Sequence, residues 1–197
     1  MEEVINYIKD LHLEEKFDYN CPVILSFFFI CVIVFIIDCI TKGKSNKLLF
    51  MSYRGSIFNP LSYFRLISHI FGHSDFDHLK RNFLYILLIG PMLEEKYGSI
   101  NMIIIILITG LASGIFNVVF TNNRMLGASD IVYMLIILSS FVNITSGKIP
   151  ITLILIILFY IIEEFTSIFK KKNDGISHIS HLIGAIVGCI YGFYLMR

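Results

Sequence analysis

Apolar residues in this chain fall into long, nearly unbroken runs separated by short polar turns, rather than into the stripes of water-facing helices or the alternation of half-buried strands. Runs long enough to cross a hydrocarbon layer predict helices at about 22–40, 79–93, 100–120, 126–144, 149–168 and 176–196. The expected fold is therefore all-α, a polytopic membrane protein with six spans. The second and fourth runs are short and depend on neighbouring helices or a locally thin bilayer. The turns "EEKYGS", "TNNRM", "NITSGKIP" and "KKKNDG" hold the Asn, Gly, Pro and Lys expected of helix stops and starts. Residues 41–78 break the pattern, forming a long first loop with Arg54, Gly55, Pro60, Arg65 and three histidines. A connection of that length is expected to be functional or partly structured. Residues 1–20 scatter Val4, Ile5, Ile8, Leu11 and Phe17 among acidic positions and read as an amphipathic, polar segment ahead of a membrane domain at 21–197.

Composition supports the membrane assignment, with 56% hydrophobic and 16% charged residues. A net charge of +1 leaves no basic surface for nucleic acid. Cys21, Cys31, Cys39 and Cys189 form no C-x-x-C pair and read as small hydrophobes, not as a disulfide framework or zinc site. The opening "MEEVINYIKDLHLEEKFDYN" lacks the basic start and short apolar core of a cleavable signal, so the first apolar run is expected to stay as an anchor. Counted alone, the Lys and Arg residues in the loops favour an external N-terminus.

Strongly polar side chains in hydrocarbon mark functional sites by default. In "HLKRN", His78 and Asn82 stand four apart and share a helix face, able to aim two donors at one point. Each alone reads as a cap or an interhelical bond. Ser129 follows Gly127 and Ala128 at the start of an apolar helix, where a serine is ordinarily an N-cap. To act as a nucleophile it needs a base. His181 precedes Gly184, Gly188 and Gly192, a smooth stripe that lets another helix approach closely. Asp38 is expected to snorkel from the end of the first span, and Glu163 or Glu164 to reach the interface from the fifth. Together the first three groups contain a nucleophile, a base and two extra donors, the inventory of a serine hydrolase.

These residues resemble the rhomboid intramembrane serine proteases, over most of the chain from about residue 58. The matching stretches are "GASD" at 127–130, "HLKRN" at 78–82, "HLIGAIVG" at 181–188, "YFRLISHIFGH" at 63–73 and "LEEKYGS" at 93–99. The resemblance implies a six-helix bundle and a catalytic dyad without a carboxylate, with Ser129 attacking a peptide bond and His181 as base and then acid. His78, Asn82 and the Ser129 backbone N–H would hold the oxyanion, Gly127 would shape the serine turn, and Tyr133 would pack on the His181 ring. Gly184 and Gly188 would serve helix packing, and Arg65, His69 and His73 would bond internally in the loop that walls the cavity. The implied substrates are transmembrane helices of single-pass proteins, with no cofactor and no metal. The implied location is the plasma membrane, with cytoplasmic termini.

The chain departs from the family pattern at Asp130, where the motif has glycine. Glycine there allows tight contact between the fourth and sixth helices, so Asp130 supports a second reading, an inactive rhomboid-like pseudoprotease that binds transmembrane helices. Asp130 also lies in a first helical turn, where the helix dipole favours negative charge. A triad-like arrangement would have it hydrogen-bond His181 or His178. A third reading, from another class, is a metal-binding membrane protein using His69, His73, His78, His178 and His181, two pairs of which have ligand spacing on a helix.

Overall fold

Pro22 opens the first helix, α1 (Pro22–Ile40), at the position where its missing N–H loses nothing. The next two amides are satisfied from a distance: Val23 N and Ile24 N donate to the two oxygens of Glu94 at 2.9 and 3.0 Å. The computed structural model describes residues 18–142, 151–156, 158, 159, 162, 166 and 178–195. After α1 come α2 (Pro60–Ser68), α3 (Phe76–Tyr97), α4 (Ser99–Phe120), α5 (Ser129–Ser139), α6 (Ile151–Ile156) and α7 (His178–Leu195). Among the described residues the chain forms no sheet, only an isolated antiparallel bridge between Ser52 and Met125.

The first predicted run coincides with α1, and α1 and α4 are long and apolar enough to cross a membrane. Helix α3 is longer than the predicted 79–93 because its polar ends stay helical. It starts at Asp75, whose side chain accepts from His78 N at 2.8 Å, and it ends at Gly98, whose φ of +85° turns the chain directly into α4. Helix α5 is shorter than the predicted 126–144, since Gly127 holds a φ of +117° and keeps the approach to Ser129 unwound. Of the fifth run only α6 and a few isolated positions are described. Glu163 and Glu164 lie outside the described residues, as do residues 1–17 of the N-terminal segment.

Helix α5 is the centre of the bundle, with Ile131, Met134, Leu135 and Leu138 fully buried. In lipid, contact between apolar helices gains little from leaving the solvent, so close packing of small residues carries the association. Two glycines show how close. A Cβ on Gly184 of α7 would lie 2.1 Å from the Asp130 carbonyl oxygen of α5, and one on Gly114 of α4 would lie 2.0 Å from the Leu66 carbonyl oxygen of α2. Outward positions such as Ile33 and Ile36 of α1 and Ile100 and Ile108 of α4 stay exposed, as suits helices that face acyl chains.

Residues 41–78 are well structured. A π-helical turn at Asn46–Phe50 precedes α2, and a 3₁₀ turn at His69–Phe71 follows it. Asp38 does not snorkel. It is buried, and its carboxylate accepts from Ser45 Oγ at 2.8 Å, Asn46 N at 2.9 Å and Asn46 Nδ2 at 2.8 Å, because the turn after α1 presents these donors where they are shielded from water. Arg54 caps the far end of α4, donating to the carbonyls of Val118 and Val119 at 3.1 and 2.7 Å.

Candidate active site

The segment ahead of α5 is suspended from the long first loop. Ser52 and Met125 exchange backbone hydrogen bonds of 2.8 and 2.9 Å, and Gly127 N donates to the His69 carbonyl at 2.9 Å. Asn117 Nδ2 of α4 bonds the carbonyls of Ser52 and Asn123, both at 3.1 Å. Gly127 is required twice over. Its φ is one that side chains disfavour, and a Cβ there would sit 2.6 Å from the His78 imidazole. These contacts deliver Ser129 to the first turn of α5 at the edge of a cavity of about 490 Å³.

Ser129, His181, His78, Asn82 and Tyr133 all line that cavity. His181 of α7 is buried, and its ring stacks on Tyr133 with centroids 4.4 Å apart and planes 10° from parallel. Tyr133 is one turn beyond Ser129, so one helix face carries the serine and the aromatic surface that orients the imidazole. Gly184 and Gly188 lie against the backbone of α5, at Asp130 and Met134. The side chain of His178 lies outside the described residues.

Asn82 Nδ2 donates to His73 Nε2 at 3.1 Å. That bond requires a neutral His73, and burial, reinforced by the nearby His78, pushes its pKa from 6.5 down to about 3. A histidine held neutral in the fold contributes stability that is complete above its unfolded pKa and is lost as pH falls towards its folded one. We therefore expect the thermal midpoint in detergent to fall as pH drops below 6.5. The contribution of His73 changes by at most about 1.4 kcal/mol per pH unit. A His73→Asn variant should be flatter over that range, and an identical acid limb would show that His73 does not carry it.

His78 approaches Ser74 Oγ through Nδ1 at 3.2 Å, while that hydroxyl donates to Asp75 at 2.7 Å. A hydroxyl has one hydrogen, so Ser74 accepts from His78 Nδ1–H. His78 Nε2 then donates only when the ring is doubly protonated or Ser74 turns away. Ser74, Asp75, Arg81 and Arg124 also line the cavity, and none stood out in the sequence. Asp75 alone left a signal, as an N-cap before an apolar helix.

Arg65, His69 and His73, expected as internal hydrogen-bonders of the loop, are each hydrogen-bonded, and none of them is among the residues that line the cavity. Arg65 is buried, donating to Tyr53 Oη at 2.8 Å and Ser62 Oγ at 3.2 Å with its guanidinium 4.2 Å above the Tyr53 ring. His69 Nε2 bonds the Gly110 carbonyl at 3.0 Å, and His73 holds Asn82. His69 and His73 bond different partners, and among the described residues no three His, Cys, Asp or Glu side chains are placed to hold a metal ion.

Asp130 does not reach α7. Its carboxylate accepts from Ser113 Oγ of α4 and from Ile131 N at 2.9 Å, so the triad-like arrangement gains no support. The physical reason is helical geometry: successive side chains are about 100° apart, which turns Asp130 towards α4 when Ser129 faces the cavity. Only the Asp130 backbone meets Gly184, and the expected obstruction of the α5–α7 contact is absent.

Residues 60–197 match the family described as the Rhomboid domain. Among curated proteins the chain is similar to the rhomboid protease GlpG of Yersinia pestis (strain Pestoides F), 23% identical over 180 residues that cover 89% of this chain and 63% of the relative. It is also similar to rhomboid-like protein 11, chloroplastic, of Arabidopsis thaliana, 22% identical over 178 residues covering 83% of this chain and 62% of the relative. The chain thus spans somewhat less than two thirds of the length of these relatives.

Proposed function

The chain belongs to the rhomboid family, and from that premise we propose that it is an intramembrane serine endopeptidase that cuts transmembrane helices of single-pass proteins through a Ser129–His181 dyad. The observation that carries this reading is the convergence of Ser129, His181, Asn82 and His78 on one cavity, with the imidazole stacked on Tyr133.

In the proposed reaction His181 removes the Ser129 proton as Oγ attacks the peptide carbonyl, then returns it to the departing amine. The tetrahedral oxyanion is held by the Ser129 backbone N–H and Asn82 Nδ2, with His78 adding a donor when Nε2 carries a proton. A water activated by His181 then cleaves the acyl-enzyme and releases the new carboxylate. Neither cofactor nor metal has a part in these steps. A helix in lipid keeps its peptide groups paired, so the cleaved bond must come from a stretch that unwinds into this cavity. The same reading assigns residues 21–197 to the membrane domain and 1–20 to a polar N-terminal segment. It also places the protein in the plasma membrane with cytoplasmic termini.

A fluorophosphonate probe applied to the detergent-solubilised protein tests the chemistry without a known substrate. We expect the native chain to be labelled, Ser129→Ala to be blank, and Asn82→Ala to be slower by roughly a hundredfold. Asp130→Gly should gain nothing, since the carboxylate bonds Ser113 away from α7. An unlabelled native chain with labelling gained in Asp130→Gly would instead support the pseudoprotease.

A further inference from the structure

We propose that Asp38, on the first helix, is a positioning residue for the oxyanion site: acting through Asn46 and His73, it holds the Asn82 amide with its N–H side towards the cavity. The proposal rests on the hydrolytic reading for the role of Asn82, but the coupling itself is a property of the fold.

A carboxamide has nearly the same shape either way round, so only its hydrogen-bond partners decide which end faces where. The His73 Nε2 acceptor fixes Nδ2 on that side, and Nδ2 is the amide atom that would lie 3.6 Å from a Cβ on Gly127, two residues before Ser129, while Asn82 itself lines the cavity. One N–H of Asn82 serves His73, and the other remains for an oxyanion.

His73 must itself be held. Its ring packs edge-on against His78 with centroids 5.1 Å apart and tilts against Phe83 at 5.9 Å, and its carbonyl accepts from Asn46 Nδ2 at 2.9 Å. The same Nδ2 donates to Asp38 Oδ2 at 2.8 Å. Asn46 therefore faces two groups that only accept, and its amide has one permitted orientation. The opposite one would set Oδ1 against both a carboxylate and a carbonyl. Asn46 Oδ1 has no hydrogen-bond partner among the described residues, so nothing competes for the reverse orientation.

Each link is shielded from water: Asp38 is 9% exposed, Asn46 3%, His73 0% and Asn82 6%. In such surroundings a misdirected amide is not rescued by solvent, and polar networks act as units. Asp38→Asn keeps the shape but turns one acceptor into a donor facing Asn46 Nδ2. Asn46 then gains by flipping, and the flip releases the His73 carbonyl.

The test measures kcat and KM for a single-pass transmembrane reporter in proteoliposomes, using the native chain, Asp38→Asn, Asn82→Ala and the double variant. Side-chain amide resonances of ¹⁵N-labelled asparagine are followed in the same proteins. We expect Asp38→Asn to lower kcat on the order of tenfold with KM unchanged, less than the roughly hundredfold loss from removing an oxyanion donor. In the Asn82→Ala background the Asp38 substitution should cost nothing more, because its effect passes through that amide. The Asn82 resonances should shift in Asp38→Asn. Asn46→Ala should reproduce the kcat loss while leaving Asp38 its bonds to Ser45 Oγ and the residue 46 backbone N–H, which covers the case of an unfolded Asp38→Asn. A native kcat in Asp38→Asn, a full multiplicative loss in the double variant, or unmoved Asn82 resonances would each overturn the proposal. Cleavage that survives Ser129→Ala, or a native chain that does not cleave, would sink the protease reading, and the resonances would still decide whether Asp38 controls Asn82.

Discussion

Gly184→Val is expected to remove both the stability and the labelling of the protein. A Cβ at that position would lie 2.1 Å from the Asp130 carbonyl oxygen and 2.9 Å from its carbon, which are backbone atoms with no rotamer to escape into. Helix α7 must therefore move away from α5. Overpacking of this kind costs roughly 1–3 kcal/mol and occasionally more. The functional loss should exceed the stability loss, because His181 lies one turn before Gly184 on the same helix and moves with it. A misplacement of about 1 Å at reacting groups is worth roughly a hundredfold in rate. Thermal denaturation together with the fluorophosphonate labelling rate reads both effects, and Ile186→Ala, on an exposed face of α7, is the silent control. If Gly184→Val melts and labels like the native chain, α5 and α7 are not in backbone contact.

Glu94→Ala should separate the two properties, with a large fall in melting temperature and little change in labelling per folded molecule. The Glu94 carboxylate is buried and accepts from Val23 N, Ile24 N and Ser99 Oγ, so it ties the start of α1 to the α3–α4 corner. Without it two backbone amides lose their acceptor where water is scarce. Each orphaned group costs about 1–3 kcal/mol. At about 2–4 °C per kcal/mol for a chain of this size, the midpoint should drop on the order of 10 °C. Since Glu94 does not line the cavity, the rate measured below the transition should stay close to native. A stable but unreactive Glu94→Ala protein would contradict this division.

How much of this could be read beforehand depended on whether a feature is local. Helix α1 was legible at both ends because Pro22 and the "TKGK" turn bracket a long, largely apolar run. The ends of α3 were misplaced because polar residues interrupt its run, although two of them, His78 and Asn82, face the cavity and another, Glu94, caps α1. His78, Asn82, Ser129, Tyr133 and His181 were found through spacing and motif, and they do line one cavity. The Asp38–Asn46–His73 chain and the Ser52–Met125 bridge could not be found in that way, since they join distant residues that repeat no pattern. At Asp130 the residue type suggested a conflict with α7, which was resolved only by the direction of the side chain.

The division of the site between α5 and α7 also bears on how the molecule is made. A ribosome delivers the chain from its N-terminus, so α5 and its serine reach the membrane well before α7 has been synthesised. On the proposed chemistry a half-made copy holds a hydroxyl with no base beside it. The packing of Gly184 of α7 against Asp130 of α5 is then also the step that brings the base to the serine.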